Sequence, residues 1–195
     1  MEMKMKRAVL LGIVCLVLGA GSLAGMDWGF SAGANILTLR QKDVQDMYGA
    51  GFPVGVRAWS GWKNWRISVG LEYLSERGQA LPLSGGSEEF PLRLRVTSIP
   101  IVLYYQIGIK DVFLAAGGGA SFAWYEETWE DLDIVVKGQK WGPILSFLAG
   151  YHLSQRLSVF GETRYEPIPT GKSSLLVPEV KLGGLKIGAG VMFYF

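Results

Sequence analysis

Hydrophobic and polar residues alternate along most of this 195-residue chain from about position 28 onward. In residues 65–74 one face carries an aromatic residue at each end and aliphatic residues between them, while the other face is mostly small, polar or charged. Residues 185–195 repeat the pattern, with an apolar side chain at every odd position. A period of two is that of a β-strand, because a helical stripe recurs every three or four residues. The pattern therefore predicts strands.

The same pattern predicts eight strands, at 28–36, 52–58, 65–74, 94–105, 112–125, 145–153, 159–166 and 185–195. In the fourth strand, Leu94 and Val96 lie in one phase, and the apolar residues from Ile99 to Tyr105 lie in the other. Pro100 stands where the phase changes. A β-bulge would explain both the phase change and the tolerated proline, so we predict a bulge at Pro100.

The connections between these strands alternate in length. Three are tight turns, at 61–64, 108–111 and 154–156, and four are long and polar, at 41–51, 77–91, 127–139 and 168–181. A soluble β-sandwich has no reason to place every long loop at one end. A transmembrane barrel combines short turns at one end, long loops at the other and an even number of strands. We therefore predict an all-β fold, an eight-stranded antiparallel up-and-down transmembrane β-barrel.

Charged residues in the middle of the strands decide which face meets lipid. A single Arg or Lys facing hydrocarbon near the midplane costs about 2–4 kcal/mol, so these residues must point into the lumen. Eight strands leave room only for side chains, and buried charges need partners. We expect a closed lumen filled by a charge network of mixed sign, with a narrow ion path as the alternative: Arg57, Glu72, Glu162, Arg164, Glu166 and Lys186.

The N-terminus has the three parts of a secretory signal. Basic residues at positions 4, 6 and 7 precede an apolar run at 8–19 and a small-residue site ending at Ala24. We predict a signal peptide over residues 1–24, which is removed, and a barrel domain over residues 25–195. An uncleaved membrane anchor is the competing interpretation.

Composition narrows the classes further. The chain is 49% hydrophobic and only 18% charged, which excludes a disordered protein. Its single Cys lies in the predicted signal peptide, so we expect no disulfide and no Cys/His zinc site. Without the three basic residues and one acidic residue of 1–24, 16 basic and 16 acidic residues remain. A net charge of zero argues against a nucleic-acid partner.

Two segments resemble the small eight-stranded outer-membrane β-barrel domain family of Gram-negative bacteria, the porin-like and OmpA-like barrels. The fourth strand, Ser98 to Tyr105, and the glycine-rich Val112 to Gly119 are similar to that family's "IP-x-x-x-x-Y … aGgG" pattern. The C-terminus resembles the family's assembly signal, a final aromatic residue with hydrophobic residues at alternate positions before it: Val191, Phe193 and Phe195. The resemblance implies a location in the cell outer membrane and insertion by the outer-membrane assembly machinery. It implies no single activity, because such barrels include anchors, adhesins, channels, assembly factors and lipid-modifying enzymes.

The expected role is non-enzymatic: envelope structure, or surface interaction through the long outer loops. One alternative is a lipid A-modifying acyl hydrolase that uses His152 and Ser154 with Glu162 or Glu166. Against it, the pair lies at a short turn far from the outer leaflet, and His152 shares the lumen phase. The other alternative is a narrow small-solute channel. No peptidoglycan-binding domain is expected after Phe195.

The remaining expectations concern ligands and partners. The acidic residues near the third long loop form a solvated loop rather than a divalent-metal site, because their spacing matches no EF-hand: Glu126, Glu127, Glu130, Asp131 and Asp133. We expect no metal and no cofactor. The expected partners are outer-membrane lipid, lipopolysaccharide and the assembly machinery, and we expect a monomer.

Overall fold

The alternating segments form a closed barrel in which each strand pairs antiparallel with the next, and the last strand pairs with the first. The computed structural model describes residues 27–39, 42–80, 90–168 and 182–195. Its strands are β1 Asp27–Leu39, β2 Val54–Trp62, β3 Trp65–Ala80, β4 Phe90–Ile109, β5 Val112–Trp129, β6 Ile134–His152, β7 Leu157–Glu166 and β8 Gly184–Tyr194. A short helix, α1, spans Lys42–Tyr48 between β1 and β2. The predicted eight-stranded up-and-down barrel is confirmed.

Midway along the strands, apolar side chains face outward and charged side chains face into the lumen. On β3, Ile67 is 43% exposed, whereas Glu72 is 2% exposed and Arg164 on β7 is fully buried. Trp65 and Tyr73 lie at the two ends of the apolar part of the outward row of β3. At about 3.3 Å per residue and the tilt of barrel strands, they bound a band about 20 Å high, close to the apolar band of transmembrane barrels. A water-soluble barrel would have the opposite arrangement.

The two ends of the barrel differ. The turns at 63–64, 110–111 and 153–156 lie at one end, which we call the turn end. Helix α1 and the turn at 130–133 lie at the opposite end, which we call the loop end. In bacterial barrels the short turns face the periplasm. Within the described residues, no helix has the length and apolar character needed to cross a membrane.

Strands β3 to β6 run further toward the loop end than the sequence predicted. The expected long loop at 127–139 is a tight turn at 130–133 that joins the extended ends of β5 and β6. Glu126 lies in β5, where it pairs with Lys137 of β6 and Arg95 of β4. The apolar–polar alternation is lost in these segments because their outward residues are charged. These residues lie above the apolar band, where the outer face meets water instead of lipid.

The predicted β-bulge at Pro100 is wrong. The register of β4 with β3 and with β5 is the same on both sides of Pro100. The β3–β4 ladder lacks pairs only between Val69–Ile101 and Glu72–Ser98, where proline has no N–H to donate. The even-numbered residues face inward throughout, so Leu94 and Val96 are lumen residues. The inward residues of β4 change in polarity along the strand. The same even-numbered positions face inward throughout.

Helix α1 lies within the connection that the sequence predicted as long and polar. Val44 and Tyr48, four residues apart on one face of the helix, are buried in a hydrophobic cluster at the loop end of the lumen. Leu37 of β1 and Leu74 of β3 belong to the same cluster. The helix therefore covers the loop end of the lumen from inside.

Candidate functional site

The six mid-strand charges that the sequence singled out converge on one layer in the middle of the lumen. Three are cations and three are carboxylates, so the layer is formally neutral. Their side chains are at most 7% exposed and come from four strands: Arg57 of β2, Glu72 of β3, Glu162, Arg164 and Glu166 of β7, and Lys186 of β8.

One half of the ionic layer is a bidentate ion pair between Arg57 of β2 and Glu162 of β7. Arg57 donates from Nη1 to Glu162 Oε1 at 3.0 Å and from Nη2 to Glu162 Oε2 at 2.6 Å. Such bidentate Arg–carboxylate pairs fix geometry as well as charge. Gly70 on β3 leaves the space for this guanidinium, because a Cβ there would lie 2.8 Å from Arg57 Cγ. Tyr104 and Ser146 complete the shell by donating to Glu162 Oε1 at 2.9 and 2.7 Å.

The other half is centred on Glu72, which accepts from three cations. Arg164 Nη2 donates to the Glu72 carboxylate, Lys186 Nζ donates to Oε2 at 3.0 Å, and Arg57 Nη2 donates to Oε1 at 3.1 Å. Glu166 closes the network, because its Oε2 lies 2.7 Å from Lys186 Nζ and 3.2 Å from Arg164 Nε. The two halves share Arg57, so the network joins opposite walls of the barrel.

Apolar layers lie on both sides of the ionic layer. Toward the loop end is the cluster around α1, which also contains Leu92, Leu94 and Tyr125. Toward the turn end is a second cluster that includes Trp59, Phe113 and Phe160. The cavities beside the ionic layer measure about 20 and about 10 Å³, each room for about one water molecule. Among the described residues the lumen is thus filled along its length.

His152 and Ser154, the pair considered for acyl transfer, are not joined. Ser154 Oγ accepts from the backbone N–H groups of Arg156 and Leu157 and stabilises the 153–156 turn. His152 Nδ1 instead lies 2.7 Å from the hydroxyl of Ser158, which is fully buried. Glu162 is engaged by Arg57, far from this turn. The geometry does not bring together the Ser–His–Glu set of the alternative acyl hydrolase.

The acidic hairpin also differs from its prediction as a loop. Glu126 and Glu127 lie in β5, and only residues 130–133 form the turn. Glu130 pairs with Arg93 of β4 at 3.1 Å. In the part of the chain that the structure describes, no three metal-ligating side chains come together.

Two further predictions from the sequence concern the ends of the chain. The residues of the predicted assembly signal, Val191, Phe193 and Phe195, point outward at the turn end of β8. The predicted signal peptide, residues 1–24, lies outside the described residues. Both remain predictions.

Sequence reasoning missed Tyr104 and Ser146 as partners of Glu162. The alternation along the strands was enough to place both side chains in the lumen. Tyr104 lies on the same face of β4 as the buried Val102, and Ser146 lies on the face of β6 opposite to the outward Leu145 and Phe147. Identifying the partner itself requires the barrel to close, since 42 residues separate Tyr104 from Ser146.

Known proteins share this architecture but not its sequence. No protein-family model matches the chain, and no curated protein matches it by sequence. Among solved structures, it is similar to Neisserial surface protein A, with 15% identity and a TM-score of 0.60 over 88% of this chain and 99% of that one. It is also similar to the outer membrane protein OprG from Pseudomonas aeruginosa, with 12% identity and a TM-score of 0.61 over 88% and 96%.

A third similar structure is a major outer membrane protein from Thermus thermophilus, with 14% identity and a TM-score of 0.55 over 86% of this chain and 99% of that one. Identities this low establish a fold and carry no activity with them. Together with the apolar exterior, the likeness supports the outer-membrane location predicted from the sequence. The chain has the fold of the small eight-stranded outer-membrane β-barrels.

Proposed function

We propose that this chain is an integral outer-membrane protein that acts as a closed, non-enzymatic scaffold. Its barrel anchors the molecule, and the extended ends of β3 to β6 with the loops present a surface outside the membrane. Envelope structure or surface interaction is therefore its role. The chain acts as a monomer and reaches the membrane through the outer-membrane assembly machinery.

The neutral ionic layer between two apolar layers is the observation that carries the proposal. An ion entering this lumen would have to displace Arg57 or Arg164 from its carboxylates and then cross tightly packed aliphatic and aromatic side chains. A selective pore instead has a water-filled path lined by rings of one charge. The mixed signs and the bidentate pairing favour a plug over a channel.

Single-channel recording in planar bilayers tests the closed lumen. The purified barrel is expected to give no discrete conductance steps, while a porin inserted in the same membranes gives them. Regular steps from the wild-type barrel would overturn the scaffold proposal and favour the small-solute channel.

Cysteine labelling on intact cells tests which end is displayed. Asp131 lies in the β5–β6 turn at the loop end, and Asp111 lies in a turn at the opposite end; both are exposed. A membrane-impermeant maleimide is expected to label Asp131→Cys on intact cells, and Asp111→Cys only after permeabilisation. The wild-type chain is the control, since its Cys15 leaves with the predicted signal peptide. Labelling of Asp111→Cys alone on intact cells would reverse the proposed orientation.

A further inference from the structure

The outward side chains of β3 to β6 form rows across the sheet where these strands pass the apolar band. The row nearest the membrane is mixed and contains two aromatic residues: Tyr73, Thr97, Trp124 and Gln139. The next row is mostly charged: Ser75, Arg95, Glu126 and Lys137. The row beyond it begins with two arginines: Arg77, Arg93, Thr128 and Val135.

The depth of these rows follows from strand geometry. Tyr and Trp rings on the outer face of a barrel mark the membrane–water interface. Tyr73 is exposed and Trp124 is partly exposed, so their row lies at that boundary. The two following rows lie about 7 and about 13 Å further along the strands, before correction for tilt. At this distance a bilayer presents its headgroups. The charged rows therefore lie at the depth of lipid headgroups.

We call Arg77, Arg93, Arg95 and Lys137 the basic collar. Its ion pairs among the described residues are Arg93–Glu130 at 3.1 Å, Arg95–Glu126 at 3.7 Å and Lys137–Glu126 at 2.9 Å. None of these pairs includes Arg77, which is exposed. Counted over the described residues, these pairs set two carboxylates against four cations, and the surplus lies toward β3.

Arg77 and Arg93 are directly opposite each other in the β3–β4 ladder. Like charges in this position destabilise a sheet, because their side chains leave it side by side on the same face. An anion held between the two guanidinium groups converts the repulsion into attraction. Phosphate suits the position, since each guanidinium can donate two parallel hydrogen bonds to its oxygens.

We propose that Arg77 and Arg93, supported by Arg95, bind phosphate groups on the headgroup of an outer-leaflet lipid. The aromatic row beneath them would contact the same lipid at the boundary of its acyl chains. The inference rests on the proposed function, because it requires the loop end to lie at the outer face of the outer membrane. It names a lipid partner for the displayed surface of that scaffold.

A lipid-binding comparison with a charge-matched control tests the site. The probes are lipopolysaccharide with its lipid A phosphates and the same lipid after enzymatic dephosphorylation, each titrated into the purified barrel in detergent. The double variant R77Q/R93Q is expected to bind the phosphorylated lipid at least about tenfold more weakly, because it loses charge-assisted contacts. The control K63Q/K110Q removes two exposed lysines at the turn end and is expected to retain wild-type affinity.

Three outcomes would overturn the site. One is equal wild-type affinity for the dephosphorylated lipid, and another is an equal loss in the control variant. The third is inorganic pyrophosphate binding as tightly as the lipid, which would make the site one for soluble polyanions. R77K/R93K, which keeps the charges but loses the forked geometry, is expected to show intermediate affinity, and it replaces the glutamine variant if that variant does not fold.

The result is separable from the proposed scaffold function. Loss of the lipid site leaves the bilayer recordings silent and the Asp131→Cys labelling unchanged. Failure of the scaffold proposal would appear in those two measurements, whatever the affinity for lipid.

Discussion

The ion pairs inside the barrel and those of the basic collar are built from the same residue types but differ in their surroundings. In the lumen, Arg164 and Glu166 are fully buried and lie between two apolar layers. On the outside, Arg95 and Glu126 are 47% and 33% exposed and face water or headgroups. Both sets belong to the same closed barrel, and only the face of the sheet separates them.

The same kinds of ion pair have different effects in the lumen and on the outer face of the barrel. Inside, each charge needs its partner, because an unpaired ion in a low-dielectric environment is strongly destabilising. The pairs therefore specify how side chains from four strands fit together. Outside, water and salt screen each charge, so a pair adds little stability and its members can exchange partners. The collar is suited to recognition, and the ionic layer is suited to closure.

The largest expected effect comes from removing a buried cation. Arg164→Met leaves Glu72 and Glu166 without their shared guanidinium and is expected to lower the free energy of unfolding by about 3–5 kcal/mol. Urea unfolding of the refolded barrel measures it. Arg95→Met on the exterior is the matched control and is expected to cost less than about 1 kcal/mol. Equal losses in the two variants would remove the distinction between inside and outside.

An intermediate effect is expected from filling space on the inner face. A Cβ at the inward Gly119 would clash with the backbone carbonyl oxygen of Ile101, whereas at the outward Gly118 the nearest atom would be 3.7 Å away. Gly119→Ala is therefore expected to destabilise the barrel by about 1–3 kcal/mol. Gly118→Ala, one residue away, is the control and is expected to be near neutral. The same unfolding assay compares them, and a larger loss at Gly118 would contradict the inward packing.

The smallest effect is expected from Glu126→Gln, which removes the carboxylate that Arg95 and Lys137 share. The expected cost is about 0.2–1 kcal/mol at low salt, and it should vanish in about 1 M NaCl, where the screening length is about 3 Å. Unfolding at two salt concentrations measures it. A cost that persists in high salt would mean that the collar is shielded like the lumen.

The barrel could be predicted from the sequence because each strand has a recognisable pattern within its own residues. Alternation in β3 and β8, charges in mid-strand and the alternation of short and long connections all operate over short distances along the chain. The prediction of a bulge failed because the local pattern was compatible with more than one structure. The apolar residues Leu94 and Val96 suggested a bulge because an apolar patch inside the lumen looks, in one strand, like a change of phase.

The sequence by itself determined the strands, the inside and outside of the barrel, and the charges that had to be enclosed. Tertiary structure decided the partners: Arg57 with Glu162, Glu72 with Arg164 and Lys186, and α1 at the loop end of the lumen. It also decided that Arg77 and Arg93 stand side by side. The physical reason is that alternation depends on neighbours in the chain, whereas pairing depends on register and closure, which bring together residues as far apart as Glu72 and Lys186.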